Sequence, residues 1–201
     1  MKNSILTTFA IAALASCEKK DTQTFNHDGI DSTSTASNAL PVNDSANVSG
    51  STESTVTLND QDKKFADAAA IGGMMEVMMG NLAASKGTDG SVKELGTMMT
   101  KDHGMANDEL KKWAASAGYM LPASLDAEKQ KMYDDLKAKK GAEFDKMYAE
   151  LMVSDHKKDI ASFKDETSKG QEPGLKTFAS KTIPILDHHL MESEKVKAGI
   201  K

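Results

Sequence analysis

Four ionisable residues interrupt otherwise apolar helical stripes: Glu76, His103, His156 and His189. The stripes repeat at three- and four-residue spacing, the period of one buried helix face. Phe65, Ala69, Gly72, Glu76, Met79 and Ala83 form the first, and Val92, Leu95, Met99, His103, Ala106, Leu110 and Trp113 the second. Ala149, Met152, His156, Ile160 and Phe163 form the third, and Leu175, Phe178, Thr182, Ile185, His189 and Val196 the last. One carboxylate and three imidazoles suit Zn, Cu(II), Fe(II) or Mn, with an open position if the metal is catalytic. Asp102 and Asp155 directly precede two of the histidines, where they can orient an imidazole from a second shell or add an oxygen ligand. The same residues also fit a buried polar layer that fixes helix register at some cost in stability.

Their heights are comparable. Counted from the turn near residues 88–89, Glu76 and His103 lie about 12 and 14 residues away, and His156 and His189 about 15 and 18 from the turn near 171. At 1.5 Å per residue, the spread within each helical hairpin is roughly 3–5 Å. Hairpins packed in register would bring the four side chains into one layer. A ferritin-type di-iron centre needs two Glu-x-x-His copies. Thr100 and Val153 stand where the glutamates preceding His103 and His156 would be, which argues against a di-iron oxidase. His189-x-x-Glu192 is a single such pair and carries little weight.

Methionine is abundant, 13 in 201 residues. Met74, Met75, Met78 and Met79 surround Glu76, and Met98, Met99 and Met105 flank His103. Thioethers are soft ligands for Cu(I), so Met75, Met79 and Met99 are candidate copper ligands; they also suit core packing, since Met fills irregular gaps. Other chemistries lack parts: there is no Gly-x-Ser-x-Gly, P-loop, Gly-x-Gly-x-x-Gly or His-Glu-x-x-His. The chain has 25 basic residues, all Lys, against 30 acids. Without the guanidinium fork or clustered positive charge, nucleic acid is excluded as a partner.

The elements that must position these residues are helical. Ala, Lys, Met, Leu and Glu dominate from Asn59 onward, and no strand competes. Helices are predicted over about 60–86, 91–117, 126–139, 142–169 and 173–197, punctuated by Gly87, Gly118, Gly141 and Gly170. Pro173 suits a first turn, whereas Pro184 is expected to interrupt and kink the last helix. The predicted fold is all-α, a ferritin-like four-helix bundle of two helical hairpins joined by a long crossover with a short extra helix.

Ahead of this domain lie two other segments. Ile5 to Leu14 is an apolar run too short to span a bilayer, and Leu14-Ala15-Ser16-Cys17 resembles a bacterial lipobox. Residues 1–16 are therefore expected to be a signal peptide, with Cys17, the only cysteine, as the lipidation site. Residues 17–58 would form a Ser/Thr-rich tether of charge −4 with a reach of roughly 35 Å. The bundle, 59–201, carries −2. Acyl chains would make the membrane a partner and place the protein in the bacterial envelope, at the outer membrane.

Gly73-Met74-Met75-Glu76-Val77, Met99-Thr100-Lys101-Asp102-His103 with Ala106, Asn107 and Leu110, Phe144-Asp145 with Tyr148 and His156, and Pro184-Ile185-Leu186 with His189 are similar to the bacterial domain of unknown function family 4142. The resemblance covers about residues 60–196. It implies a ferritin-like fold and the family's frequent label of predicted outer membrane protein. Glu76, Asp102, His103, Asn107, Asp145, His156 and His189 match its pattern positions, while His188 and the doubled methionines depart from it. It implies no reaction. Asp145, roughly 16 Å along its helix from His156, is expected to make a hydrogen bond near the helix start. The leading expectation is a lipid-anchored binding or envelope-stress protein and not a defined enzyme. A metal-binding or metal-buffering protein, a weak metallo-oxidase and an adaptor for another envelope protein are the alternatives.

Overall fold

Asn59 starts the first helix by accepting the backbone N–H of Asp62 at 2.7 Å, while Asp62 accepts that of Asn59 at 3.2 Å. This reciprocal cap satisfies two of the donors that every helix start leaves free. The structure, a computed structural model, describes residues 57–200. The expected signal peptide, Cys17 and nearly all of the tether lie outside the described residues. Helix α1 spans Asp60–Lys86, α2 Gly90–Ala117, α3 Ala127–Ala138, α4 Gly141–Lys169 and α5 Pro173–Gly199. No strand occurs among the described residues.

Two antiparallel hairpins, α1/α2 and α4/α5, make the bundle; α1 lies against α4 and α2 against α5, and α3 covers α1 in the crossover. The α1–α2 turn is held from the opposite hairpin. Asp145 of α4, fully buried, accepts the backbone N–H of Thr88 at 3.0 Å and of Asp89 at 2.9 Å, plus the Thr88 hydroxyl. Gly118, at φ 64°, ends α2 in the left-handed conformation that costs a side chain most.

Facing helices come unusually close where the site will sit. A Cβ at Gly96 would lie 2.6 Å from the Gly80 carbonyl oxygen, and one at Gly80 would lie 2.7 Å from that of Gly96. Only glycine at both positions permits this approach of α1 to α2. It sets the spacing that Glu76 and His103 use further along the same pair.

The core divides into two apolar clusters. Met75, Met79, Met99, Phe144, Tyr148 and Met152 belong to one, toward the α1–α2 turn. Phe65, Leu110, Phe163, Phe178 and Leu186 belong to the other, where Phe65 meets Phe163 edge-on at 4.9 Å. Glu76, His103, His156 and His189 lie between the two clusters along their helices. Each fully buried Phe, Met or Leu contributes about 1.5–3 kcal/mol, so apolar burial on both sides offsets the cost of the polar layer.

Two expectations for α5 need correction. The helix runs on through Pro184, because Pro184 and Ser180, whose carbonyl loses its partner, both face solvent and water can replace the missing donor. Ile185 is exposed and Leu186 is the buried residue. Leu186 continues the alternating steps of three and four along buried Ala179, Thr182, His189, Ser193 and Val196, which Ile185 would break.

Candidate metal centre

The structure brings Glu76, His103, His156 and His189 together, one from each long helix. The three imidazoles form a nearly equilateral triangle, with ring centroids 5.5, 5.1 and 5.3 Å apart. One nitrogen from each ring can be chosen so that all three lie within 4.8 Å of one another.

Each ring is held on its other nitrogen by an acceptor. His103 Nδ1 lies 2.9 Å from Glu76 Oε2, an ion-pair distance. His156 Nδ1 donates to the Met152 carbonyl, one turn back on α4, at 2.9 Å. His189 Nε2 donates to Asp102 Oδ2 at 3.0 Å. These acceptors fix the tautomers and leave three lone pairs, on His103 Nε2, His156 Nε2 and His189 Nδ1. His103 Nε2 is buried and has no hydrogen-bond partner. His156 Nε2 and His189 Nδ1 face each other at 3.3 Å.

Counting protons shows what that last contact means. The contacts from Asp102 through both rings to Met152 need three protons, and two neutral imidazoles supply two. A third proton would charge a ring, but burial pushes His103, His156 and His189 down to about 4. Glu76 opposes the shift at His156, and the Asp102 bond opposes it at His189, without reversing either. At neutral pH all three rings are uncharged, and two lone pairs oppose one another in a dry core. A cation between them removes the conflict. Two nitrogens each about 2.0–2.1 Å from one tetrahedral ion are about 3.3–3.4 Å apart, which matches the observed contact.

The carboxylates complete the electrostatics. Burial raises Glu76 to about 7, with His156 pulling it down and Asp155 pushing it up. Its second oxygen, Oε1, lies 3.4 Å from His156 Nδ1 and makes no hydrogen bond. The Asp155 carboxylate makes no hydrogen bond to the histidines. It is buried beside Lys129 of α3, at 3.6 Å, so its expected place as a partner of His156 is taken by the Met152 carbonyl. Asp155 follows Met152 by three residues, and its carboxylate is turned toward α3. Met75, Met79 and Met99 are fully buried in the apolar cluster with Phe144 and Tyr148.

Three neighbours were not legible as site residues. The Met152 carbonyl acts through its backbone, which no side-chain motif reports. Tyr148 buries its hydroxyl without a partner, and burial with the nearby Glu76 raises its pKa, so the phenol stays neutral. Asp159, one turn beyond His156 on α4, is raised to about 8, chiefly by burial and then by Glu76 and Asp155. Its spacing of three from His156 was the available signal. It lines a small cavity with Glu76, His103, Asn107 and Thr182, of about 20 Å³, room for about one water.

Residues 47–196 match the family described as domain of unknown function, DUF4142. The chain belongs to the DUF4142 family. No curated protein is similar to it in sequence. Among solved structures, the DUF4142 bundle is similar to a DUF305 fragment from Deinococcus radiodurans, with 11% identity over 70% of this chain and 97% of that one, and a TM-score of 0.62. It is also similar to CopM in its silver-bound form, with 16% identity over 67% of this chain and 93% of that one, and a TM-score of 0.55. At these identities the likeness is one of fold.

Proposed function

We propose that this DUF4142 domain binds one transition-metal ion, copper or zinc, through His103, His156 and His189, and serves to hold or buffer it in the cell envelope. The observation that carries this reading is a buried layer of three imidazoles with one nitrogen of each within 4.8 Å of the others, in which His156 Nε2 and His189 Nδ1 face each other at 3.3 Å and the remaining nitrogens of these two rings meet acceptors. Glu76 and Asp102 are then orienting groups and not ligands. Ionised together, they balance the charge of a divalent ion that three neutral imidazoles cannot neutralise. An all-imidazole set suits copper and zinc better than Fe(II), whose non-haem sites usually include a bound carboxylate. CopM, of similar fold, has been observed with silver, a soft ion of the same ligand preference as Cu(I).

The cavity beside the centre has room for about a water, which supports holding an ion over transforming a substrate. Titration of residues 59–201 with Zn(II), Cu(II) and Cu(I) should show one tight equivalent, lost in His103→Ala and in His156→Ala while the helical fold remains. Melting at a lower temperature with no metal bound by the wild type would leave only a register-setting layer.

Envelope anchoring through Cys17 belongs to the same proposal, supported by the apolar run and the small residues before that cysteine. The full chain expressed in bacteria should carry acyl mass on Cys17 and sediment with membranes, and Cys17→Ser should release it. Wild-type protein that is soluble without detergent and lacks acyl mass would refute the anchoring.

A further inference from the structure

The turns of the two hairpins are held alike, each by a buried aspartate of the other hairpin. Asp145 of α4 accepts the backbone N–H groups of Thr88 and Asp89 in the α1–α2 turn. Asp62 of α1 accepts those of Gln171 at 2.9 Å and Glu172 at 3.2 Å in the α4–α5 turn. The glycines that end α1 and α4 correspond as well. The Gly87 N–H closes on the Ala83 carbonyl at 3.0 Å, and the Gly170 N–H on the Glu166 carbonyl at 2.9 Å. Ala83 and Glu166 therefore occupy equivalent positions, and both are fully buried. One hairpin fills the position with a methyl group, the other with a carboxyl group.

A second carboxyl is costly there. Burial pushes Asp62 up, but the backbone N–H groups of Gln171, Glu172 and Asn59 outweigh it and hold Asp62 below the ordinary carboxylate range. Glu166 lies against it. Its Oε2 accepts the Gln61 amide at 3.3 Å, and its Oε1 is buried with no hydrogen-bond partner. Burial raises Glu166 to about 7; Asp62 adds to the rise, while Gln61 and Lys176 oppose it. The charged groups acting on Glu166 are thus Asp62 from α1 and Lys176 from α5. At this end α2 brings the neutral Trp113 indole, which donates to Glu172 at 2.8 Å. With one proton between them Asp62 and Glu166 can hydrogen-bond; without it two buried negative charges repel.

We infer that Asp62 and Glu166 form a pH-sensitive clasp: sharing one proton, they tie the start of α1 to the α4–α5 turn, and loss of that proton loosens both. The clasp stands where the preceding chain enters the domain, because Asp62 is also half of the reciprocal cap with Asn59. It uses no residue of the histidine layer and does not depend on the metal reading. Folded Glu166 keeps its proton after an unfolded chain would have lost it, so the clasp contributes fully below about pH 4.5 and its contribution is lost as pH rises through about 7. The α1–α2 turn has no such response, since Ala83 has no proton to lose.

Amide hydrogen exchange of the full chain at pH 5 and pH 8, corrected for the intrinsic pH dependence of exchange, tests the clasp. Protection of Asn59, Gln171 and Glu172 should fall about 10–100-fold from pH 5 to pH 8. Protection of Thr88 and Asp89, which make the matching contacts at the other end, should stay within about twofold. Glu166→Gln, and Glu166→Ala as the match to Ala83, should hold protection at Asn59, Gln171 and Glu172 constant with pH. No fall in the wild type, an equal fall at Thr88 and Asp89, or a fall that survives in both variants would overturn the clasp.

Discussion

The pH dependence of metal affinity distinguishes this centre from three ordinary imidazoles. Exposed histidines titrate near 6.5, and protons compete with the metal at each one. Three such ligands would lose about a thousandfold in affinity between pH 7.5 and 5.5. Here burial holds His103, His156 and His189 down to about 4, so none competes over that range. Glu76 does, because burial raises it to about 7 and it must ionise to balance the ion. Glu76 alone, at about 7, predicts a loss of about 25-fold over the same interval, and Asp159, raised to about 8 beside it, brings the slope to between one and two protons, still short of three. The sign is fixed: protonated Glu76 predominates at the acid end, so affinity falls as pH falls. Competition titration with Zn(II) at half-unit steps measures the slope directly. Glu76→Gln should lower affinity at pH 7.5 by about 10–100-fold and flatten the profile. A three-proton slope would refute the assignment of neutral rings, and a slope that Glu76→Gln leaves unchanged would refute that of Glu76.

Asp102→Ala should cost about 10–100-fold in Zn(II) affinity, read by the same titration, since His189 loses the acceptor that fixes its tautomer. Asp145→Ala removes the three bonds that pin the α1–α2 turn and should destabilise the domain by about 2–4 kcal/mol, seen as a fall of roughly 5–15 °C in Tm. Gly96→Ala drives a methyl group into the Gly80 carbonyl and should cost about 1–3 kcal/mol by denaturant melts, whereas Gly104→Ala, which meets nothing, should stabilise by about 0.5–1 kcal/mol. Glu166, buried at the end of α4 against Asp62, has its carboxyl raised to about 7, mainly by burial. A raised pKa contributes stability below about 4.5 that is lost as pH rises through about 7, so Glu166→Gln should raise Tm at pH 8 and leave it nearly unchanged at pH 5.

Local signals made the helices legible. Asn59, Gly87, Gly118, Gly170 and Pro173 each do at a helix end what their backbone chemistry dictates, and the predicted and observed boundaries agree within two residues at every end. Glu76, His103, His156 and His189 stood out because an ionisable group in an apolar stripe is costly, and the structure places all four in contact in one layer. What lay beyond the sequence was the second partner of each ring. Asp155 and the Met152 carbonyl both lie near His156 along α4, and only the packing of α3, which brings Lys129 to Asp155, decides between them. Ile185 and Leu186 both fall three or four residues from Thr182 and His189, so the buried one is decided by the packed face, which includes Ser193, and Pro184 poses a similar question. Whether a proline interrupts a helix depends on whether its orphaned carbonyl reaches water, and that is a property of the assembled bundle.

The most direct test of the central claim is metal content with ligand identity. Tag-free residues 57–201, purified from periplasm and loaded with Zn(II) or copper, would be measured by elemental analysis and X-ray absorption. The account predicts one ion per chain, with three imidazole nitrogens at about 2.0–2.1 Å. Absence of stoichiometric metal, or an ion that persists in His103→Ala/His156→Ala/His189→Ala, would contradict it.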